Sequence, residues 1–224
     1  MLNSFDQALG ELRGLVLMMS ALALRNLRNA ITGLEQLDLA LCNYVIADDE
    51  EVDVLEQQVD QLAMRAILQF QPVAVDLRAA LAAPKIGGHL EKLADVAVGI
   101  AKQARKLSKV DPLPEAIILE PLIQDTLGMV EDALRAYELG QTDVAAGLQE
   151  RRRQLKRSAK AVSDELAESM SSAPYRVENL LNLIFITRFL EDAATLARAI
   201  GEDCVFLSEA RDIRHPKARK AMEG

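Results

Sequence analysis

The stretch GGHLEKLADVAVGIA, residues 87–101, decides how the rest of the chain is read. Leu90, Leu93, Ala97 and Ile100, with Ile86 just before them, recur at steps of three and four. That is the period of an α-helix with one buried face. Glu91 and Asp95 lie off that face, four residues apart, so their carboxylates stack on one side of the helix. Like charges at this spacing repel by about 0.2–0.5 kcal/mol. Either water screens them or a cation sits between them. One hundred positions later the pair Leu90-Glu91 returns as Leu190-Glu191.

The recurrence extends outward in both directions. Val45, Val52 and Val59 lie 103 positions before Leu148, Leu155 and Val162, and Leu41 lies 103 before Val144. Pro72 and Pro174 are 102 apart. An internal repeat of three helices accounts for all of these offsets. Phe5, Leu9, Leu12, Val16, Met19 and Ala23 predict a first helix over about 4–31, stopping at Thr32-Gly33. A second is expected over about 35–69, ended by QFQP, and a third from Pro72 to about Lys106. SKVDPLP, with its two prolines, reads as a linker. The fourth helix runs from about Glu115 to Leu139 and stops at Gly140. The fifth covers Thr142 to Met170, SSAP breaks the chain, and the sixth runs from Pro174 to about Leu207. The expected fold is all-α: two pseudo-symmetric three-helix bundles, residues 1–108 and 109–210, followed by a basic C-terminal tail, 211–224.

Composition agrees. Alanine, leucine and charged residues dominate, while the 224 residues include only 11 glycines and 7 prolines. That mix favours helical bundles. A net charge of −8 argues against a nucleic-acid partner, which needs a basic face to neutralise phosphates. Cys42 and Cys204 have no metal-ligand spacing and read as free thiols in a reducing cytoplasm. MLNSFDQALGELRG lacks a signal-peptide pattern, and GLVLMMSALAL is expected to be too short to cross a bilayer.

Projected at about 100° per residue, the second helix aligns Asp49, Asp53, Glu56 and Asp60 beside its valine stripe. The first half thus carries two acidic i,i+4 pairs, Asp49–Asp53 and Glu91–Asp95, on helices adjacent in sequence. Carboxylates with few histidines suit a hard cation such as Mg²⁺ or Mn²⁺. Di-iron chemistry would need Glu-x-x-His on two helices, and neither His89 nor His215 has that spacing. A solvated acidic face is the plainer alternative, and spacing alone leaves both open.

VIADDEEVDVLEQQVDQL (45–62), QFQPVAVDLRAALAAPKIGGHLEKLADVAVGIA (69–101), NLLNLIFITRFLEDAATLARAI (179–200) and RDIRH (211–215) together resemble the PhoU family of phosphate-signalling regulators. The resemblance spans essentially the whole chain. It implies two three-helix repeats and a non-enzymatic, cytoplasmic adaptor that holds down the phosphate-starvation response. The implied partners are the ATPase subunit of a phosphate ABC transporter and the cytoplasmic region of a sensor histidine kinase. Membrane association would then come only through these partners, and a homodimer is open. The family's Glu/Asp-x-x-x-Asp motifs, which bind metal clusters, match here at Asp49, Asp53, Glu91 and Asp95. The implied cofactor is a divalent or trivalent ion (Mg, Mn, Fe or Zn) in the first half only. Other roles compatible with the resemblance are regulation of a different transporter and carboxylate-based metal storage.

The second half departs from the motif. Glu191 is followed by Thr195, and Asp49 and Asp53 shifted by 103 fall on Arg152 and Lys156. A slipped register would offer Glu150 and Gln154. Arg188 and Arg198 share the face of Glu191, so Glu191 is expected to pair with basic side chains and the second half to hold no metal. His89 reads either as a further ligand or as a residue without a role. Gly87-Gly88 implies close packing or a kink. No glycine-rich phosphate loop, nucleophile motif or cluster of anion donors is apparent, so direct phosphate binding is not expected.

Overall fold

The structure is a computed structural model that describes residues 4–48, 50–109, 113–211 and 213, all but the side chain of Ala146. The described residues form seven α-helices and no strand: α1 (Ser4–Glu35), α2 (Leu39–Ala47), α3 (Glu50–Phe70), α4 (Ala74–Leu107), α5 (Glu120–Leu139), α6 (Thr142–Ser172) and α7 (Val177–Glu209). Short 3-10 turns at Pro114–Leu119 and Pro174–Arg176 lead into α5 and α7. The all-α, duplicated architecture expected from the periodicity is present, and so is the stop at Gly140, which takes φ 67°.

The helices expected from about Glu115 and from Pro174 open later, at Glu120 and Val177, after the 3-10 turns, and three further boundaries differ. First, α1 runs through Gly33 to Glu35. Gly33 is no stop signal: a Cβ there would come within 2.8 Å of Cys42 Sγ, so the glycine lets α2 pack close. Second, the helix expected over 35–69 is two helices. The Asp38 carboxylate caps α2, accepting from the N–H groups of Ala40 and Leu41 at 2.8 and 3.0 Å. Asp48 then closes α2 with its N–H on the Tyr44 carbonyl, and its side chain is taken by Arg25 of α1. Aspartate prefers such caps to helix interiors, and the position that corresponds to Asp48 in the unbroken α6 is Arg151, a strong helix former. Third, Pro72 precedes α4, which opens at Ala74.

The valine stripe is buried as predicted: Val45, Val52 and Val59 are fully enclosed, as are Ile86, Leu90, Leu93, Ala97 and Ile100 of α4. In the second half Leu148, Leu155, Ile186, Leu190 and Ile200 take the matching places. Each such aliphatic side chain contributes about 1.5–3 kcal/mol through burial. Phe5 packs on Phe70 with ring centroids 5.3 Å apart, holding the start of α1 to the end of α3. By length and composition α1 would also suit a membrane span, which the shorter window read from the sequence missed. Here its Leu12, Val16, Met19, Ala23 and Leu27 are spent on the protein core.

The two halves share one core. α4 gathers α1, α2 and α3, α7 gathers α5 and α6, and α4 and α7 pack on each other. Their contacts run antiparallel. The Arg78 Nε donates to the Leu207 carbonyl at 3.1 Å, His89 meets Asp203, and Gly99 receives the ring of Phe189. A Cβ at position 99 would lie 2.5 Å from that ring. The repeat offset relates Gly99–Phe189 to the pair Ala199–His89. There a smaller imidazole replaces the phenyl ring, and both residues line an open groove of about 530 Å³.

Candidate functional site

The acidic faces of α3 and α4 meet. Glu56 is half-buried because Gly88 makes room for it: a Cβ on Gly88 would stand 3.3 Å from Glu56 Oε1. This answers the Gly87-Gly88 question in favour of close packing. Glu91, one turn further along α4, is also half-buried rather than turned to solvent as expected, while Asp53, Asp60 and Asp95 are exposed. Burial, then the negative charges of Asp95, Glu56 and Asp53, push the Glu91 carboxyl up to about 7, with Lys92 pulling the other way. Burial, Asp60 and Asp53 raise Glu56 as well, again against Lys92.

Three of the four expected ligands, Asp53, Glu91 and Asp95, therefore share one electrostatic neighbourhood. Asp49 lies outside the described residues. Glu56, seen in the sequence as part of the acidic stripe but not as a candidate ligand, is the neighbour that bridges the two helices. Its signal was available in the glycine three residues before Glu91 on the facing helix. The donors are all oxygen and carry uncompensated negative charge, which fits a hard cation. Among the described residues, no three of His, Cys, Asp and Glu converge tightly enough to enclose an ion.

The raised Glu91 has a consequence for stability. Its folded-state pKa of about 7 exceeds the ordinary 4.5, so the native state holds a proton that the unfolded chain has released. Stability is therefore expected to fall as pH rises from about 4.5 to 7. Glu91→Gln should flatten that decline and be the more stable protein at pH 8. Parallel thermal melts of both proteins at several pH values across this window test it, and identical slopes would contradict the cluster.

In the second half three of the four acids are replaced, and Glu191 keeps the place of Glu91. The Arg152 Nε donates to Thr195 Oγ1 at 3.3 Å, and Thr195 donates in turn to the Glu191 carbonyl at 3.0 Å. By the repeat offsets these two residues stand where Asp49 and Asp95 stand in the first half. Glu191 does pair with a base, Arg188, at 3.5 Å. Arg198 does not join it. That guanidinium reaches one turn onward to Glu202, whose side chain is only 5% exposed. His89, left open by the sequence, brings its Nε2 to 3.3 Å from the buried Asp203 carboxylate and helps join α4 to α7. Glu202 stands four residues beyond Arg198 on the same helix, a spacing the sequence does carry, whereas Asp203 meets His89 from another helix and has no local mark. Cys42 and Cys204 are free and buried. His215 and most of the basic tail lie outside the described residues.

Comparison with known proteins agrees with this architecture. The model of the PhoU domain matches residues 16–104 and 119–204, one match in each half. A phosphate-specific transport system accessory protein PhoU homolog of Pseudomonas putida is 30% identical over 214 residues, covering 95% of this chain and 84% of that protein. The phosphate-specific transport system accessory protein PhoU of Escherichia coli K12 is 26% identical, covering 95% and 88%. The crystal structure of PhoU from Pseudomonas aeruginosa superposes with a TM-score of 0.89 at 26% identity, over 93% of this chain and all of that one. Two matched repeats across nearly the full length, on the same helical frame, show that the chain belongs to the PhoU family.

Proposed function

We propose that the protein is a non-enzymatic cytoplasmic adaptor that restrains phosphate-starvation signalling. It would link the ATPase subunit of a phosphate ABC transporter to the cytoplasmic region of a sensor histidine kinase. The observation that carries this reading is the family membership itself, whose relatives are named as accessory proteins of phosphate-specific transport. The fold supplies what such a link requires. The 34 residues of α4 give a rigid rod about 50 Å long. The acidic patch of α3 and α4 and the run of arginines 151–153 on α6 give two surfaces of different charge, and charge complementarity selects partners and speeds their encounter.

The acidic face is the proposed metal site, with Asp49, Asp53, Glu91 and Asp95 as ligands and Glu56 beside them. A bound Mg, Mn, Fe or Zn ion would supply positive charge that stabilises the ionised carboxylates and presents a different surface to a partner. Rotation of flexible Asp and Glu side chains is what would draw them onto an ion.

Immobilised transporter ATPase and kinase cytoplasmic region should each retain the wild-type protein. The double variant Glu91→Lys/Asp95→Lys is expected to lose retention on one of them and to lose bound metal, measured by elemental analysis of anaerobically purified protein. Deleting the gene should raise phosphatase expression in phosphate-rich medium. Unchanged expression would count against this role and favour regulation of another transporter.

A further inference from the structure

We propose that the second half carries a binding site for a phosphoryl oxyanion, in a cavity of about 170 Å³ lined by Gln149, Arg152, Arg153 and Arg198. The sequence reading saw no cluster of anion donors, because the four residues come together only when α6 packs on α7. Gln149, Arg152 and Arg153 are spaced i, i+3 and i+4, so they share one face of α6. Arg198 enters from α7. The two helices approach closely here because Gly201 has no side chain: a Cβ on it would stand 2.7 Å from Leu148 Cδ1 and 3.5 Å from the Ala145 Cα. That close approach sets Arg198 of α7 beside the arginine face of α6.

Three guanidinium groups around one small space repel one another unless something negative compensates them. Among the described residues lining the cavity there is no carboxylate. Arg153 has Glu150 at 3.2 Å and Arg198 has Glu202, but each acid stands outside the cavity wall and engages one nitrogen of its arginine. Arg152 donates from Nε to the neutral hydroxyl of Thr195. Each guanidinium has five N–H donors in a planar fork, more than these contacts use. Such forks match the oxygens of phosphate and phosphate esters. The space also fits. It admits a tetrahedral oxyanion together with bridging water, and its open side leaves room for a phosphoryl group carried on a larger molecule. Arg198 is the fixed anchor, since buried Glu202 orients it. Arg152 is oriented by Thr195, the residue that stands in place of the missing acid of the motif. The half of the molecule that lost the cation pattern has thus gained its electrostatic inverse.

This site stands independently of the adaptor role, and either can fail without the other. Calorimetric titration of the full chain with inorganic phosphate at low ionic strength should show one saturable site. Arg152→Gln/Arg153→Gln should weaken it by about tenfold or more, the scale expected for lost charge-assisted hydrogen bonds. Arg198 is left intact so that the buried Glu202 keeps its partner, and an unchanged melting temperature verifies folding of the variant. Lys160→Gln, which removes an exposed cation paired with Asp164 on the same helix, should leave binding unaltered. Glycerol 3-phosphate serves as the second ligand. Binding of inorganic phosphate assigns the site to the free ion, and binding of the ester alone assigns it to a phosphoryl group carried on a larger molecule. No saturable heat with either ligand overturns the proposal, as does affinity that survives the double variant or is matched by chloride.

Discussion

Leu90→Ala and Leu190→Ala are each expected to destabilise the protein by about 2–5 kcal/mol, measured by urea unfolding. Both leucines are fully buried, and they occupy the same place in the two repeats. Deleting three carbons removes the transfer free energy of burial and leaves a cavity that the packed helices close only in part. Similar costs should therefore appear in both variants. The unfolding curve should also keep a single transition, because the core is continuous across α4 and α7. Two separable transitions, each moved by only one variant, would mean that the halves fold independently and that the α4–α7 contact couples them weakly.

Gly99→Ala is expected to cost about 1–3 kcal/mol, an overpacking penalty at the seam between the halves. Alanine is ordinarily the better helix former, by up to about 1 kcal/mol. The sign is reversed here because the new methyl would meet Cε1 and Cζ of Phe189 at 2.5 Å. Moving that ring means moving it against α4 and α7 together. Gly14→Ala is the matched control: it lies in α1 with nothing within 4 Å of an added Cβ, and a small gain in melting temperature is expected. Combining Gly99→Ala with Phe189→Leu should recover much of the loss, since the smaller side chain vacates the clash. A Gly99→Ala protein as stable as wild type would remove the ring-in-notch account of how the halves are joined.

Much of the fold was legible because helical periodicity is a local signal. The steps among Leu12, Val16, Met19 and Ala23, or among Ile86, Leu90, Leu93 and Ala97, are set by helix geometry and need no knowledge of what lies opposite. The duplication was legible for the same reason, since both copies repeat the steps. Boundaries were less so. Gly33 looked like a stop and proved to be a packing notch for Cys42, and the distinction depends on what approaches it. The break at Asp48 was hidden because an aspartate capping α2 and an aspartate on a solvated face look alike in sequence until Arg25 is seen to take it.

The candidate site divides in the same way. The acidic i,i+4 pairs, and their replacement by Arg152, Lys156 and Thr195, could be read from spacing. The half-burial of Glu91, its elevated pKa and the part played by Glu56 could not, because they arise where α3 lies across Gly88. The sequence reading also placed Arg198 with Glu191, on the strength of a shared helical face. The structure gives it instead to Glu202, four residues on along the same helix, where the lower local dielectric strengthens the attraction and desolvation offsets part of it.

By itself, the sequence determined that this protein is a duplicated set of helices whose acidic i,i+4 pairs in the first half give way to Arg152, Lys156 and Thr195 in the second. Periodicity and charge are properties of a single helix, written along the chain. Only the tertiary structure decided which charges meet, which glycines are notches, that the halves share one core, and that three arginines surround a common space. Those are properties of pairs of helices, and their distances depend on side chains a hundred residues apart in the chain.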